Sequence, residues 1–168
     1  MRSGWLIFLA VLAAPQARSA EPDVTLITLG TGGGPAVQTR RAQPANAVRV
    51  GSAIYLFDVG EGAQRQLQAA GLELPAIRAI FLTHHHLDHV GGLGSLLANR
   101  WVQTRYASLP VVGPPGTQAM AAALVEAYRA VELTPVTISA KTPPSLASTV
   151  TARDLAPDIS APMLVYED

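Results

Sequence analysis

Residues 83–92 read THHHLDHVGG, and all four histidines of the chain lie within them: His84, His85, His86 and His89, with Asp88 among them. Neutral imidazole and carboxylate are natural ligands for a borderline cation such as Zn²⁺. In an extended segment the side chains at i and i+2 share a face, so His84 and His86 point together while His85 points elsewhere. Asp88 and His89 lie just beyond, where Gly91-Gly92 let the backbone bend closely around a site. The spacing offers two pairs of metal ligands, His84 with His86 and Asp88 with His89, suited to two adjacent zinc ions. Asp88 is also the candidate catalytic residue, placed to ligate one ion and orient a water whose pKa the metal brings down to about 7. His85 is read as structural or solvent-facing. A run of three histidines can also be a solvated loop. Four with an aspartate at ligand spacing, after a strand and before glycines, favour the metal site.

The text around the cluster reads as strands and helices in alternation. Residues 77–82 (IRAIFL) form the strand that leads into it. Upstream, residues 23–29 (DVTLITL) read as a strand, and residues 48–50 and 53–57 as a hairpin joined at Gly51-Ser52. A helix is expected over residues 63–70, stopped by Gly71. Downstream, a helix over about 93–106, a strand at 109–112 and a helix from the N-cap Thr117 to about Val131 are expected. In that last helix Met120, Leu124, Ala127 and Val131 recur at helical spacing and read as core. Residues 136–139, 150–152 and 163–166 are candidate strands, and the Pro/Ser-rich stretch 141–148 a surface loop. The class is mixed α/β (α+β), with helices packed on a sheet.

Composition agrees with a folded domain. The 168 residues are 49% hydrophobic and 14% charged, with no cysteine, so disulfides, thiolate nucleophiles and Cys-type zinc sites are all excluded. The 12 Lys/Arg balance 12 Asp/Glu, and the basic residues are scattered in sequence. No basic stripe is visible, so the expectation is a small-molecule substrate and no nucleic acid. Gly30-x-Gly32-x-x-Pro35 departs from a dinucleotide fingerprint at its third glycine and reads as a tight loop. No serine sits in a GxSxG elbow.

The N-terminus has one arginine, then the mostly apolar residues 4–14 (GWLIFLAVLAA), then small residues at Ala17 and Ser19. This matches a secretory signal over residues 1–19, cut before Ala20, and is short of the roughly 20 apolar residues that span a bilayer. The expectation is a periplasmic or secreted protein with no stable membrane anchor, its mature domain covering residues 20–168.

The motif His-x-His-x-Asp-His after a strand resembles the metallo-β-lactamase superfamily. Residues 26–50 (LITLGTGGGPAVQTRRAQPANAVRV), 55–67 (YLFDVGEGAQRQL), 79–97 (AIFLTHHHLDHVGGLGSLL) and 111–128 (VVGPPGTQAMAAALVEAY) are similar to its branch containing ribonuclease Z and related arylsulfatases. The resemblance implies an αββα sandwich and zinc-dependent hydrolysis of an ester, sulfate ester, phosphodiester or lactam. It places Asp58 at the family's earlier acidic position, where it orients the histidine loop. The alternative is a turn residue before Gly60. The family's later metal ligands have no counterpart here: no histidine follows His89, and Asp154, Asp158 and Asp168 lack the family's context. The expectation is therefore an N-terminal half whose C-terminal part is missing. The alternative function is an inactive half-domain, a metal-binding or pairing module that forms a homo-oligomer or joins a separate C-terminal half.

Overall fold

A computed structural model describes residues 23–103, 106–134, 143–156 and 160–167. The expected signal segment and the candidate strand at 136–139 lie outside these residues.

Six strands form one mixed sheet in sequential order: β1 (Val24–Gly30), β2 (Ala45–Val50), β3 (Ala53–Phe57), β4 (Ile77–Phe81), β5 (Leu109–Gly113) and β6 (Val150–Asp154). The first three pair antiparallel, β2 and β3 through the tight turn at Gly51. From β3 onward the pairing is parallel, which requires a crossover between successive strands. These crossovers carry the helices: α1 (Ala63–Ala69), α2 (Leu87–Val90), α3 (Leu93–Val102), α4 (Thr117–Ala127) and α5 (Arg129–Leu133).

Alternation along the strands decides which side is covered. Leu29, Ala45, Ala47, Ile54, Leu56, Leu109 and Val111 are buried in one core with Leu67 of α1, Leu93, Leu96 and Trp101 of α3, and Val125 of α4. The opposite face carries Val24 and Leu26, 63% and 69% exposed, and Phe57. Phe57 stacks on Phe81 with ring centroids 5.2 Å apart.

Several elements differ from the sequence reading. Strand β2 begins three residues earlier, because Ala45 and Ala47 are fully buried, although alanine carries little strand signal. Helix α3 ends at Val102. Thr117 is the first residue of α4 and not its N-cap; that place is held by Gly116 at φ 103°. The helix breaks at Tyr128, and its buried stripe is Thr117, Ala121 and Val125. Met120, Leu124 and Val131 only flank the core, and Ala127 is exposed. Of the expected loop 141–148, residues 141 and 142 lie outside the described residues, and its end enters a short 3-10 turn, Leu146–Thr149. Residues 163–166 form no strand; Tyr166 instead packs edge-on against Tyr55 and Phe81, both at 6.0 Å.

Candidate metal centre

The histidine cluster sits where β3 and β4 end side by side. Phe57 and Phe81 are register partners, and the Asp58 N–H donates to the Phe81 carbonyl at 2.8 Å. The next residues of each strand, Asp58 and Leu82-Thr83, therefore leave the sheet together. Asp58 adopts φ 62°, a left-handed conformation that aspartate tolerates better than most side chains. The segment carrying Asp88 and His89 is stitched to this end: Val59 N–H donates to the His89 carbonyl at 2.7 Å, and Gly92 N–H to the Val59 carbonyl at 2.8 Å. Gly60 is required by close approach. A Cβ there would lie 2.2 Å from the Asp88 carbonyl oxygen and 2.7 Å from Gln43 Cβ.

Asp58 is buried, 5% exposed, and its carboxylate is fully engaged with the histidine loop. Oδ1 accepts from the Thr83 N–H at 2.8 Å. The Thr83 hydroxyl donates to the same carboxylate, 2.8 Å from Oδ2, and His89 Nδ1 lies 2.7 Å from Oδ2. An ionised carboxylate only accepts, so His89 carries its proton on Nδ1 and leaves Nε2 as a free lone pair. The same reasoning fixes His84. With its one proton given to Asp58, the Thr83 hydroxyl can only accept from His84 Nδ1, 3.0 Å away, and His84 Nε2 is free as well. This is the arrangement in which outer partners set the tautomer of ligating histidines.

The rings gather accordingly, with centroids 4.0 Å apart for His84 and His89 and 4.6 Å for His84 and His86. Asp88 Oδ2 stands 3.8 Å from His89 Nε2 and accepts from the Gly34 N–H at 2.8 Å. Burial pushes the Asp88 carboxyl up. The Gly34 N–H and its own backbone N–H oppose this, and the carboxyl is held below the usual carboxylate range. The donor chemistry thus suits a divalent cation such as zinc: two imidazole nitrogens with lone pairs, a third imidazole and an ionised carboxylate. Among the described residues, no group of three or more His, Asp or Glu is placed to hold a metal ion.

His85 faces away from this cluster. Its Nε2 lies 2.8 Å from the Thr117 hydroxyl, which donates to the Pro114 carbonyl at 2.8 Å; His85 is therefore the donor, through Nε2–H. Beside it, Asp154 accepts from the N–H groups of Gly116 at 3.0 Å and Gln118 at 2.8 Å, at the start of α4.

Sequence reasoning missed Thr83, Gly34 and Gln43. Buried Gln43 spans the loop, donating to the Gly34 carbonyl at 3.3 Å and accepting from the Glu61 N–H at 3.2 Å. Only the glycine run at 32–34 signalled that backbone would approach a partner there.

A model of the metallo-beta-lactamase superfamily matches residues 39–158. Ribonuclease Z of Mycobacterium sp. (strain KMS) is 43% identical over 108 residues, 63% of this chain and 37% of that protein. Ribonuclease Z of Mycolicibacterium paratuberculosis is 42% identical over 110 residues, 64% and 38% of the two chains. The crystal structure of human tRNase Z, short form, superposes with a TM-score of 0.62 at 27% identity, covering 80% of this chain and 46% of that one. The chain thus spans less than two fifths of the length of these curated relatives. Their names overturn the expectation that nucleic acid plays no part. Arg40 and Arg41, adjacent in the sequence, line a single hollow and give the chain a local basic patch despite its zero net charge. The match over residues 39–158, with the mixed sheet and the histidine-bearing turn at its edge, places this chain in the metallo-beta-lactamase superfamily.

Proposed function

We propose that the chain provides the histidine–aspartate part of a zinc-dependent phosphodiesterase that hydrolyses RNA after export from the cytoplasm. The observation that carries this reading is the Asp58–Thr83 network, which leaves Nε2 of both His84 and His89 unprotonated, that of His89 3.8 Å from the Asp88 carboxylate. When bound, the divalent ion supplies Lewis acidity and a nucleophilic water at neutral pH. His84 and His86 would hold one ion, Asp88 and His89 a second. Asp88 stays ionised, held by Gly34, so it can accept a hydrogen bond from the attacking water and fix its direction. Asp58 keeps the His89 proton on Nδ1 throughout. The similarity to ribonucleases Z supports a phosphodiester in RNA as the bond cleaved.

Export rests on the apolar run at residues 4–14 and the small residues Ala17 and Ser19. N-terminal sequencing of the protein recovered outside the cytoplasm should begin near Ala20; an intact Met1 there rules out cleavage.

The test of activity is cleavage of a labelled RNA by the purified chain with and without added zinc. Cleavage that needs zinc and is lost in Asp88→Asn supports the reading. Zinc-independent cleavage, or cleavage retained in that variant, rejects it. A second reading rests on ligand number: His84 with His86 and Asp88 with His89 offer each ion two protein ligands, whereas catalytic zinc usually has three. On that reading the chain is a metal-binding or pairing module, which binds zinc and cuts no RNA.

A further inference from the structure

The loop whose Gly34 N–H holds the Asp88 carboxylate also carries two adjacent arginines, Arg40 and Arg41. A hollow of ≈ 210 Å³ beside the end of β1 is lined by Thr28, Gly30, Thr31, Arg40, Arg41 and Gln66. Leu29 and Ala42 complete the wall of the same hollow.

Neither guanidinium group forms an ion pair with a carboxylate among the described residues. Arg41 donates through Nε to Gln38 Oε1 at 3.2 Å, which leaves its terminal nitrogens free to fork around an anion. Two unneutralised guanidiniums beside one hollow repel one another unless a ligand balances them, and the fork geometry suits phosphate oxygens. Threonine hydroxyls on the wall add neutral donors of the kind that position a nucleic-acid backbone.

The hollow is also tied to the histidine cluster. Gly32 N–H donates to the Ala42 carbonyl at 2.8 Å. Two residues on, Gly34 N–H donates to Asp88 Oδ2 at 2.8 Å. The loop that carries Arg40 and Arg41 is the loop that holds the Asp88 carboxylate.

We propose that this hollow binds a backbone phosphate of RNA beside the scissile bond, through Arg40 and Arg41. The inference rests on the reading of RNA as substrate. A phosphate seated here pulls on the loop whose other end fixes Asp88, so that binding and alignment of the carboxylate are coupled.

The test uses the full chain in chelator, without turnover, and a fluorescein-labelled single-stranded RNA followed by anisotropy across salt concentrations. Arg40→Gln/Arg41→Gln should bind about tenfold more weakly at low salt. Its dependence of log affinity on log salt should be shallower by about 0.7 for each phosphate that is no longer neutralised. Arg129→Gln, which removes a positive charge from α5 instead, should match wild type in both. Both arginines of the hollow are exposed, and coincident melting curves would show that the double variant folds. Equal affinity and equal salt slope for the double variant and wild type overturn the proposal, as does a wild-type chain that binds no RNA. If the double variant loses binding yet the zinc-loaded wild type cuts no RNA, the hollow stands and the cleavage reading falls.

Discussion

Asp58 Oδ2 and His89 Nδ1 stand 2.7 Å apart across 31 residues of sequence, and this one hydrogen bond sets both the ring orientation and the tautomer of His89. Removing an outer partner of a metal-bound histidine usually lowers metal affinity 10–100-fold. Asp58→Ala should therefore weaken zinc binding by about that factor in competition with a chromophoric chelator. Unchanged affinity would show that the ring is held by other means.

Gly60 sits where any side chain collides with backbone and not with a flexible tip. Gly60→Ala must displace either the Asp88 carbonyl or Gln43, an overpacking cost of about 1–3 kcal/mol. Its melting temperature should fall by several degrees and zinc binding should weaken together with it. Gly33→Ala is the control, since a Cβ there meets nothing within 4 Å. Equal behaviour of the two variants would mean that the approach of Gly60 to Asp88 is unimportant.

His85 belongs to the motif in sequence but bonds away from the metal-facing rings. Thr117, fully buried, links it to Pro114. Thr117→Val removes both hydrogen bonds and should cost about 1–3 kcal/mol in a denaturant titration. His85→Ala should leave zinc affinity close to wild type, while His84→Ala and His89→Ala should not. A drop in His85→Ala as large as in His84→Ala would make His85 a ligand.

Asp154 supplies a pH signature. The Gly116 and Gln118 N–H groups lower its pKa, against the opposing effect of burial, and nearby His85 helps. A carboxyl lowered on folding contributes its full stability above its unfolded pKa of about 3.9 and loses it as pH falls through the folded value. Asp154→Asn should melt below wild type at neutral pH, and the gap should close in strongly acidic solution. A gap of constant size from about pH 7 to about pH 2 would contradict this.

The open face of the sheet predicts association. Val24 and Leu26 are well exposed on it, and contiguous apolar surface of this kind drives self-association. Light scattering after size exclusion should find the chain larger than a monomer, and Leu26→Lys should shift it toward the monomer. A wild-type chain that is monomeric at high concentration would argue against a sticky face.

The strands with β-branched or aliphatic runs and glycine stops, β1, β3, β4 and β5, were legible in the sequence, as was the helix after Gly62. Where the reading slipped, tertiary context outweighed local preference. Ala45 and Ala47 join β2 by pairing with Gly30 and Ile27 of β1, and both are fully buried. Tyr166 looked like part of a strand and serves as an aromatic plug on Tyr55 and Phe81. The histidine motif announced its chemistry through residue type and spacing alone. What spacing could not convey is proximity across the chain: Gly34 with Asp88 at a separation of 54 residues, or His85 with Thr117 at 32. Such pairs are products of sheet order.

The parallel pairing of β3 with β4 has a consequence for how the molecule reaches its native state. Phe57 opposite Phe81 is the alignment that brings Asp58 to Thr83 and His89. A slip of one residue turns every side chain of a strand to the other face, and would carry the Asp58 carboxylate away from the histidines. Misaligned molecules would then offer zinc a poorer site than aligned ones. Because a ligand stabilises whichever form it prefers, metal present during folding would act as a proofreader of strand alignment.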